Sequence, residues 1–292
     1  MAAGGNFRQI KQNVWKWDVA GKGYSLKKYD SYEVASKVRR IHERLAEIEF
    51  SHVLPVIGAA DERTVIQPWL EGARPADYST RSGRGRTLSV LKSLHATSAD
   101  VNWQGVLGLH PYPLLAKWED RLDRFKNSRT DLEPHIDSSM FETTVFHAEE
   151  ALKSIRRSYD PDEGCTILHG DVVHHNFLKG KDGRYVLIDF DLACTGPPGT
   201  ETALWIHRVL PHVGYDFGYL AEEHPSLKRL SRSSLDLLLY PNEVLREWLY
   251  LLSLPEERRA HITGRLKRFT EQALSRWIPL CYQVTQAGNR EE

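Results

Sequence analysis

Residues 167–191 read ILHGDVVHHNFLKGKDGRYVLIDFD, and this stretch decides the fold. Two apolar runs flank Asp182-Gly183, a dipeptide typical of the tight turn between two antiparallel strands. A two-residue turn at this point sets Asn176 directly opposite Asp189, with both side chains on one face, whereas a longer turn around Lys179–Gly183 shifts that register. The pattern predicts a hairpin whose open end carries a carboxylate and an amide oxygen, and such oxygens suit Mg²⁺.

The spacing within this stretch predicts its chemistry. Asp171 precedes Asn176 by five residues, which is the spacing of the catalytic loop of protein kinases, where a metal-binding aspartate follows downstream. Phosphoryl transfer explains the arrangement, because the acceptor hydroxyl must lie beside a carboxylate while the γ-phosphate lies beside metal ligands. Each of Asp171, Asn176 and Asp189 could instead cap a turn, but their joint spacing and the hairpin favour catalysis.

Composition excludes several other classes of protein. The 292 residues include 39 basic and 39 acidic side chains, without the basic excess expected of a nucleic-acid binder. No stretch approaches the ~18 apolar residues of a membrane helix. The three cysteines are odd in number and lack metal spacing, which argues against a disulfide framework and favours the reducing cytoplasm.

The predicted secondary structure changes from mainly strands to mainly helices near residue 72. Before it, NVWKWD and YSLKKY flank the turn Val19–Gly23, an amphipathic helix is predicted over Ser31–Glu49, and two short strands follow at Val53–Ala59 and Thr64–Leu70. After it, helical patterns dominate. The fold class is therefore α+β in two lobes: a small β-rich lobe with the hinge over residues 1–72, and a larger, mainly helical lobe over residues 73–292.

The run HGDVVHHN followed by VLIDFD resembles the aminoglycoside phosphotransferase and choline kinase-like family, marked by HGD-x-x-x-x-N and then IDFD or IDWE. The resemblance implies a protein-kinase-like fold and a magnesium-dependent kinase that uses ATP or GTP. It makes Asp171 the catalytic base and Asn176 and Asp189 the metal ligands. His169 would have a structural role, and Asp191 occupies the second acidic position.

The resemblance also assigns nucleotide-binding residues in the first lobe. Lys27 follows an aliphatic residue on a predicted strand and would bind the α/β-phosphates, while Lys28 would point to the opposite face. Glu43, on the predicted helix, would hold Lys27. Gln67 and Trp69 lie in the segment that resembles the hinge. No clear glycine-rich phosphate loop exists, and Gly21 and Gly23 are the candidates for one.

The acceptor site is less specified. His174, His175 and Asp191 are candidates to line it, and a zinc site on the loop histidines is disfavoured because adjacent histidines point in different directions. Specificity is expected from residues 201–277, where aromatic rings could form a cage and Glu222, Glu223, Asp236 and Glu243 could bind an amino sugar. Helical spacing favours a core role for most of the rings.

We therefore predict a small-molecule kinase whose partners are a nucleotide and a hydroxyl acceptor such as an amino sugar, an amino alcohol or a vitamin-like alcohol. Neither a membrane nor a nucleic acid is expected as a partner, and the oligomeric state is left open. The alternative is a catalytically silent scaffold, since some relatives of the family are associated with bacterial spore coats and the phosphate loop here is degenerate.

Overall fold

The structure is a computed structural model that describes residues 6–289. Its first element is a four-stranded antiparallel sheet in the order β1-β2-β3-β4. The register places Lys11, Val14, Lys27 and Val65 in one row across the four strands, so their side chains share one face of the sheet. The strands are β1 (Asn6–Lys11), β2 (Val14–Val19), β3 (Lys22–Lys28) and β4 (Thr64–Pro68).

Helix α1 (Tyr32–Glu47) follows the third strand after three residues. The side chain of Ser31 caps it by accepting a hydrogen bond from the Val34 amide at 3.4 Å. The helix buries a stripe at spacings of three and four residues, as an amphipathic surface helix does. The buried apolar residues are Ala35, Val38, Ile41 and Leu45.

The stretch that decides the fold forms the predicted hairpin with a different register. Strands β7 and β8 pair Phe177 with Leu187, and the turn closes between Gly180 and Arg184. The loop is therefore longer than the predicted two-residue turn, and Asn176 lies opposite Ile188 instead of Asp189. The remaining elements nearby are β5 (Arg74–Pro75), α2 (Arg81–Ala96), β6 (Thr166–Leu168), β7 (Phe177–Lys179), β8 (Tyr185–Leu187) and β9 (Cys194–Gly196).

The chain forms two compact units. One contains the described residues up to Tyr112 together with Asp162–Pro198, and therefore all the strands. The other contains Pro113–Pro161 and the described residues from Gly199 onward. The predicted boundary between lobes at residues 72 and 73 stays a prediction, since compactness groups the segments differently.

The second unit is helical. Its core contains Trp118 and Tyr240, whose rings stack at 4.4 Å between centroids, and the Tyr240 hydroxyl donates a 2.7 Å hydrogen bond to the Trp118 carbonyl. The helices are α3 (Leu114–Asn127), α4 (Arg129–Leu132), α5 (Ser138–Ser158), α6 (Pro198–Val209), α7 (Phe217–Glu223), α8 (Arg232–Asp236), α9 (Asn242–Leu252), α10 (Glu256–Ser275) and α11 (Trp277–Gly288).

Together, a small strand-rich part and a larger helical part confirm the predicted α+β class. Within residues 6–289, no helix combines the length and the apolar character needed to span a bilayer.

Replacing Tyr240 with phenylalanine tests the core of the helical unit. The Tyr240→Phe variant should lose about 1–2 kcal/mol of unfolding free energy, because a buried hydrogen bond to a backbone carbonyl disappears while the packing stays. Denaturant unfolding measures the change. Tyr250→Phe is the matched control, since Tyr250 is 55% exposed and its replacement should change the unfolding free energy by less than about 0.5 kcal/mol. Equal losses in both variants would contradict the prediction.

Candidate active site

His169 anchors the loop that carries Asp171. Its ring is fully buried, packs against Phe190 at 4.7 Å between centroids, and has Nε2 2.9 Å from the Ile188 carbonyl oxygen. The Asp171 amide donates to Nδ1 at 3.4 Å. Because Nδ1 accepts, the proton lies on Nε2, which then donates to Ile188. One side chain thus ties the Asp171 loop to the strand that leads to Asp189.

Gly170 has a steric reason to be glycine. Its φ is +84°, in the left-handed region, and an added Cβ would collide with the carbonyl oxygen of Leu192. Only a residue without a side chain permits both the backbone conformation and the close approach. The chain therefore passes from His169 to Asp171 directly against the segment that follows Asp189.

Asn176 holds Asp171 in place. Its amide nitrogen donates to the Asp171 backbone oxygen at 2.9 Å and to the carboxylate Oδ2 at 3.1 Å. The backbone carbonyl of Asn176 accepts a hydrogen bond from the Ile188 amide at 3.0 Å, which fixes Asn176 at the open end of the hairpin. Both contacts with Asp171 use Nδ2 of Asn176, so the side-chain oxygen Oδ1 is not used in them. The two loop residues predicted to cooperate are thus in direct contact.

Asp189 departs from the strand conformation. Its φ of 74° and ψ of 58° are left-handed, which is unusual for a residue with a side chain and marks a local strain. The Lys27 ammonium forms ion pairs with Asp189 and, at 2.5 Å, with Asp191. Lys27 therefore bridges the first sheet to the end of β8, and Asp191, a predicted acceptor-binding residue, lies beside Lys27.

The two carboxylates differ in their electrostatics. Burial alone would raise the pKa of Asp189, but the Lys27 ammonium more than reverses this and holds it below its ordinary value. Burial and the neighbouring charge of Asp189 raise the pKa of Asp191. The Asp191 Oδ1 atom is buried and has no hydrogen-bond partner within the described residues. Burial, followed by the two carboxylates, also raises the pKa of Tyr29, whose ring lies 5.0 Å from the Lys27 nitrogen.

Lys37 is a site residue that the sequence reasoning missed. Its ammonium donates to the backbone oxygens of Asp191 at 2.7 Å and of Ala193 at 3.0 Å. Burial lowers its pKa. Its position three residues after Val34 and four before Ile41 puts it beside the apolar stripe of α1, and a lysine there is a signal that the chain uses its charge locally.

Glu43 is not the partner of Lys27. In the described part of the chain, Lys27 pairs with Asp189 and Asp191, and the predicted pair with Glu43 is not formed. Glu43 is exposed and lines an open groove together with Arg40 and Asn102. The physical reason is helical phase: the stripe of α1 that faces inward contains Ile41 and Leu45, and Glu43 lies off it.

Gln67 and Trp69 both lie at the end of β4, where the hinge was predicted. The side chain of Gln67 is used within the protein, since its nitrogen donates to the Leu54 carbonyl at 2.9 Å. The amide of Trp69 donates to the Gly23 carbonyl at 2.9 Å, and Lys16 lies 5.5 Å from its ring. The contacts of this segment with a purine stay a prediction.

The phosphate-loop candidates Gly21 and Gly23 lie at the end of the sheet that is far from Lys27. Val19 pairs with Lys22 at one end of the β2–β3 hairpin, whereas Val14 pairs with Lys27 at the other. The turn that closes the sheet beside Lys27 is the one between β1 and β2, at Gln12-Asn13. Sequence reasoning missed β1, so it could not identify this turn.

His174 and His175 follow Asp171 in a short 3-10 turn and are exposed. The His174 carbonyl accepts from the Ala76 amide at 3.2 Å, which attaches the loop to β5. Burial first, and then the charges of His174 and Lys11, lower the pKa of His175, while Asp171 and Asp189 act in the opposite direction. His175 is thus within electrostatic reach of both carboxylates.

The acidic residues considered for an amino-sugar pocket differ in their environment. Glu243 is buried and pairs with Arg208 at 2.5 Å and Arg246 at 2.8 Å. Asp236 is buried and pairs with Arg232 at 2.9 Å. Most of the aromatic rings of this region are also buried, namely Trp205, Tyr215, Phe217, Tyr240, Trp248 and Trp277, whereas Tyr219 and Tyr250 are exposed.

The comparison with protein families shows the family of this chain. A family model described as the phosphotransferase enzyme family matches residues 8–228, which is well over half of the chain. The chain belongs to this family. The phosphotransferase is therefore an enzyme, and the prediction of an ATP-dependent phosphotransferase that acts on an alcohol group is confirmed at the level of the family.

Solved structures confirm the protein-kinase-like fold. The phosphotransferase is similar to an aminoglycoside phosphotransferase from Alicyclobacillus acidocaldarius, with a TM-score of 0.71, 16% identity and coverage of 98% of this chain and 94% of the other. It is also similar to a choline/ethanolamine kinase family protein from Mesorhizobium loti, with a TM-score of 0.64 and 11% identity. That comparison covers 98% of this chain and 94% of the other. A third similar structure is a thermostable mutant of an aminoglycoside phosphotransferase in ternary complex with AMP-PNP and hygromycin B. Its TM-score is 0.54 at 16% identity, and the comparison covers 93% of this chain and 94% of the other.

A curated relative matches over a short segment. An LRR receptor-like serine/threonine-protein kinase from Arabidopsis thaliana is 39% identical over 71 residues, which are 24% of this chain. The match spans 6% of the length of that kinase.

Replacing Gly170 with alanine tests the close approach beneath the catalytic loop. The Gly170→Ala variant should lose stability and nearly all transfer activity, because the new Cβ collides with the Leu192 carbonyl. Gly183→Ala is the matched control: Gly183 also has a positive φ, +82°, but no described atom within 4 Å of the added Cβ. Both variants bear a backbone cost of about 1 kcal/mol. Only Gly170→Ala should exceed it in thermal unfolding, and equal effects would contradict the steric argument.

Proposed function

We propose that this phosphotransferase transfers the γ-phosphate of ATP to a hydroxyl group of a small acceptor such as an amino sugar, an amino alcohol or a vitamin-like alcohol. The observation that carries the proposal is the joint arrangement of Asp171, held by the amide of Asn176, and of Lys27, paired with Asp189 and Asp191. These are the groups that phosphoryl transfer needs: a carboxylate for the hydroxyl proton, a cation for the phosphates and oxygen ligands for a metal.

Asp171 is the catalytic base. The hydroxyl oxygen of the acceptor attacks the γ-phosphorus, the bond from that phosphorus to the bridging oxygen breaks, and ADP leaves with the electron pair. The hydroxyl proton goes to the carboxylate of Asp171. The hydrogen bonds from Asn176 and the anchoring by His169 support this role, because they hold the carboxylate in one orientation before the acceptor arrives.

The ligands fit Mg²⁺. Asp189 and Asp191 provide carboxylate oxygens, and Asn176 provides an amide oxygen that its contacts with Asp171 leave available. The orphaned Asp191 Oδ1 is the atom that a cation would satisfy. Mg²⁺ takes few carboxylates together with substrate phosphates and water. When bound, Mg²⁺ neutralises charge on the phosphates.

Lys27 binds the α/β-phosphates, and the nucleotide therefore competes with Asp189 for its ammonium. Lys37 acts as a positioning residue, since its bonds to two backbone oxygens hold the segment after Asp189 in place. His175 is the candidate to touch the acceptor, because it is exposed and close to both carboxylates.

ATP is the donor that we propose first, and GTP is the other nucleotide of the same class. The three unbridged cysteines support a cytoplasmic location.

The second candidate function is a catalytically silent scaffold. One observation favours it: the β1–β2 turn, Gln12-Asn13, contains no glycine with which to approach phosphates closely. The silent form would bind no nucleotide productively, and the two experiments below separate it from the enzyme.

Nucleotide binding is tested by thermal unfolding with Mg-ATP and with Mg-GTP. A ligand at 100 times its Kd should raise the apparent unfolding free energy by about 2.7 kcal/mol. The rise should depend on magnesium and disappear in Asp189→Ala. No shift with either nucleotide would overturn the kinase and favour the scaffold.

The role of Asp171 is tested by Asp171→Ala. This variant should keep the nucleotide-dependent thermal shift and lose transfer by about 10²–10⁴-fold, which is the usual contribution of a general base. Phosphate transfer to a panel of small alcohols measures the rate. Asp182→Ala is the control, since Asp182 lies on the exposed turn of the same hairpin. Turnover near the wild-type rate in Asp171→Ala would show that the base is another group.

A further inference from the structure

Lys11 lies at the end of β1, on the same face of the sheet as Lys27. It pairs with Val14, and Val14 pairs with Lys27, so the three form one row across neighbouring strands. Opposed residues of antiparallel strands share a face. Two strand spacings separate the two lysines by about 10 Å at the backbone, and both side chains are long and flexible. The register therefore presents two ammonium groups to the same side of the sheet.

The turn beside Lys11 is unable to supply what a glycine-rich loop supplies. Gln12 and Asn13 form it, and the side chain of Gln9 donates to the Gln12 carbonyl at 3.0 Å. Two residues with side chains keep the backbone amides from approaching a phosphate closely. A cation at the edge of this turn can instead reach the phosphate across that gap, since a lysine carries its charge on a four-carbon stem.

Lys27 lies at the proposed transfer site, because its ammonium pairs with Asp189 and Asp191. Lys11 belongs to the same row of the sheet two strands away, so its side chain extends from the face that carries Lys27.

Two other lysines of the sheet are placed differently. Lys16, two residue pairs further along β2, pairs with Glu71 and with Asp18 at 3.3 Å. Lys28 alternates with Lys27 along β3 and so lies on the opposite face. Lys11 is exposed at the edge of the row that contains Lys27.

We propose that Lys11 binds the γ-phosphoryl group during its transfer and takes the place of a glycine-rich phosphate loop. This inference rests on the proposed function. As the bond from the γ-phosphorus to the bridging oxygen breaks and the bond to the acceptor oxygen forms, negative charge spreads over the equatorial oxygens. Lys11 stabilises that charge, while Lys27 binds the α/β-phosphates and Asp171 takes the proton. The two lysines thus divide the triphosphate between them.

The experiment compares Lys11→Met with Lys28→Met in the full chain. Hydrolysis of Mg-ATP, with water as the acceptor, should fall about 100-fold in kcat for Lys11→Met, as when one preorganised donor to a transition state is removed. Its KM for Mg-ATP should change far less. Affinity for Mg-AMP-PNP should fall while affinity for Mg-ADP, which lacks the γ-phosphoryl, stays the same. Lys11→Arg should restore part of kcat, and Lys28→Met should match the wild type.

Three results would overturn the inference: an unchanged kcat in Lys11→Met, equal losses of ADP and AMP-PNP affinity, or an equal loss of kcat in Lys28→Met. The first leaves the proposed function standing, provided that the wild type hydrolyses Mg-ATP. The second result would mean that Lys11 does not act on the γ-phosphoryl in particular. The third would mean that any lysine of the sheet contributes through its charge or its support of the sheet. A wild-type chain that binds neither nucleotide would overturn the proposed function and this inference together.

Discussion

The ion cluster of Lys27 with Asp189 and Asp191 is the interaction on which the rest of the site depends. Two carboxylates two residues apart in a partly buried place repel each other and prefer water. The single ammonium compensates both, so β3 must stay against the end of β8. Lys37 reinforces the same point from α1 by holding the backbone of Asp191. A strand, a helix and a hairpin therefore meet at one charge cluster.

The cluster also constrains the loop that carries Asp171. Asp189 takes a left-handed conformation, and the adjacent Ile188 carbonyl accepts from His169, which in turn receives the amide of Asp171. Gly170 lets this loop pass close to the backbone beyond Asp189. The proposed base and the proposed metal ligands are thus linked through backbone contacts and not only through side chains. Under the proposed function, Mg²⁺ would replace Lys27 as the counter-charge of the carboxylates, and the Lys27 ammonium would pair with the phosphates.

Local spacing predicted part of this arrangement and long-range pairing decided the rest. The contact between Asp171 and Asn176 was predictable because five residues of loop limit how far the two can separate. The hairpin register was not, because a turn from Gly180 to Arg184 and a two-residue turn fit the same sequence and differ by one residue in pairing. The expected pair of Lys27 with Glu43 failed because a helix can rotate about its axis, and packing of Ile41 and Leu45 sets that rotation.

The sequence by itself determined the α+β class, the hairpin that follows Asn176, and the strand that carries Lys27, since each follows from turn chemistry and alternation. Only the tertiary structure decided which turn lies beside Lys27, which residue of α1 reaches the site, and where Asp191 points. The first outcome depends on β1 pairing with its neighbour β2, and the other two depend on contacts of α1 and β3 with the segment around Asp191, which is distant in the chain. Local sequence carries little information about such contacts, because their energy arises only when the whole core forms.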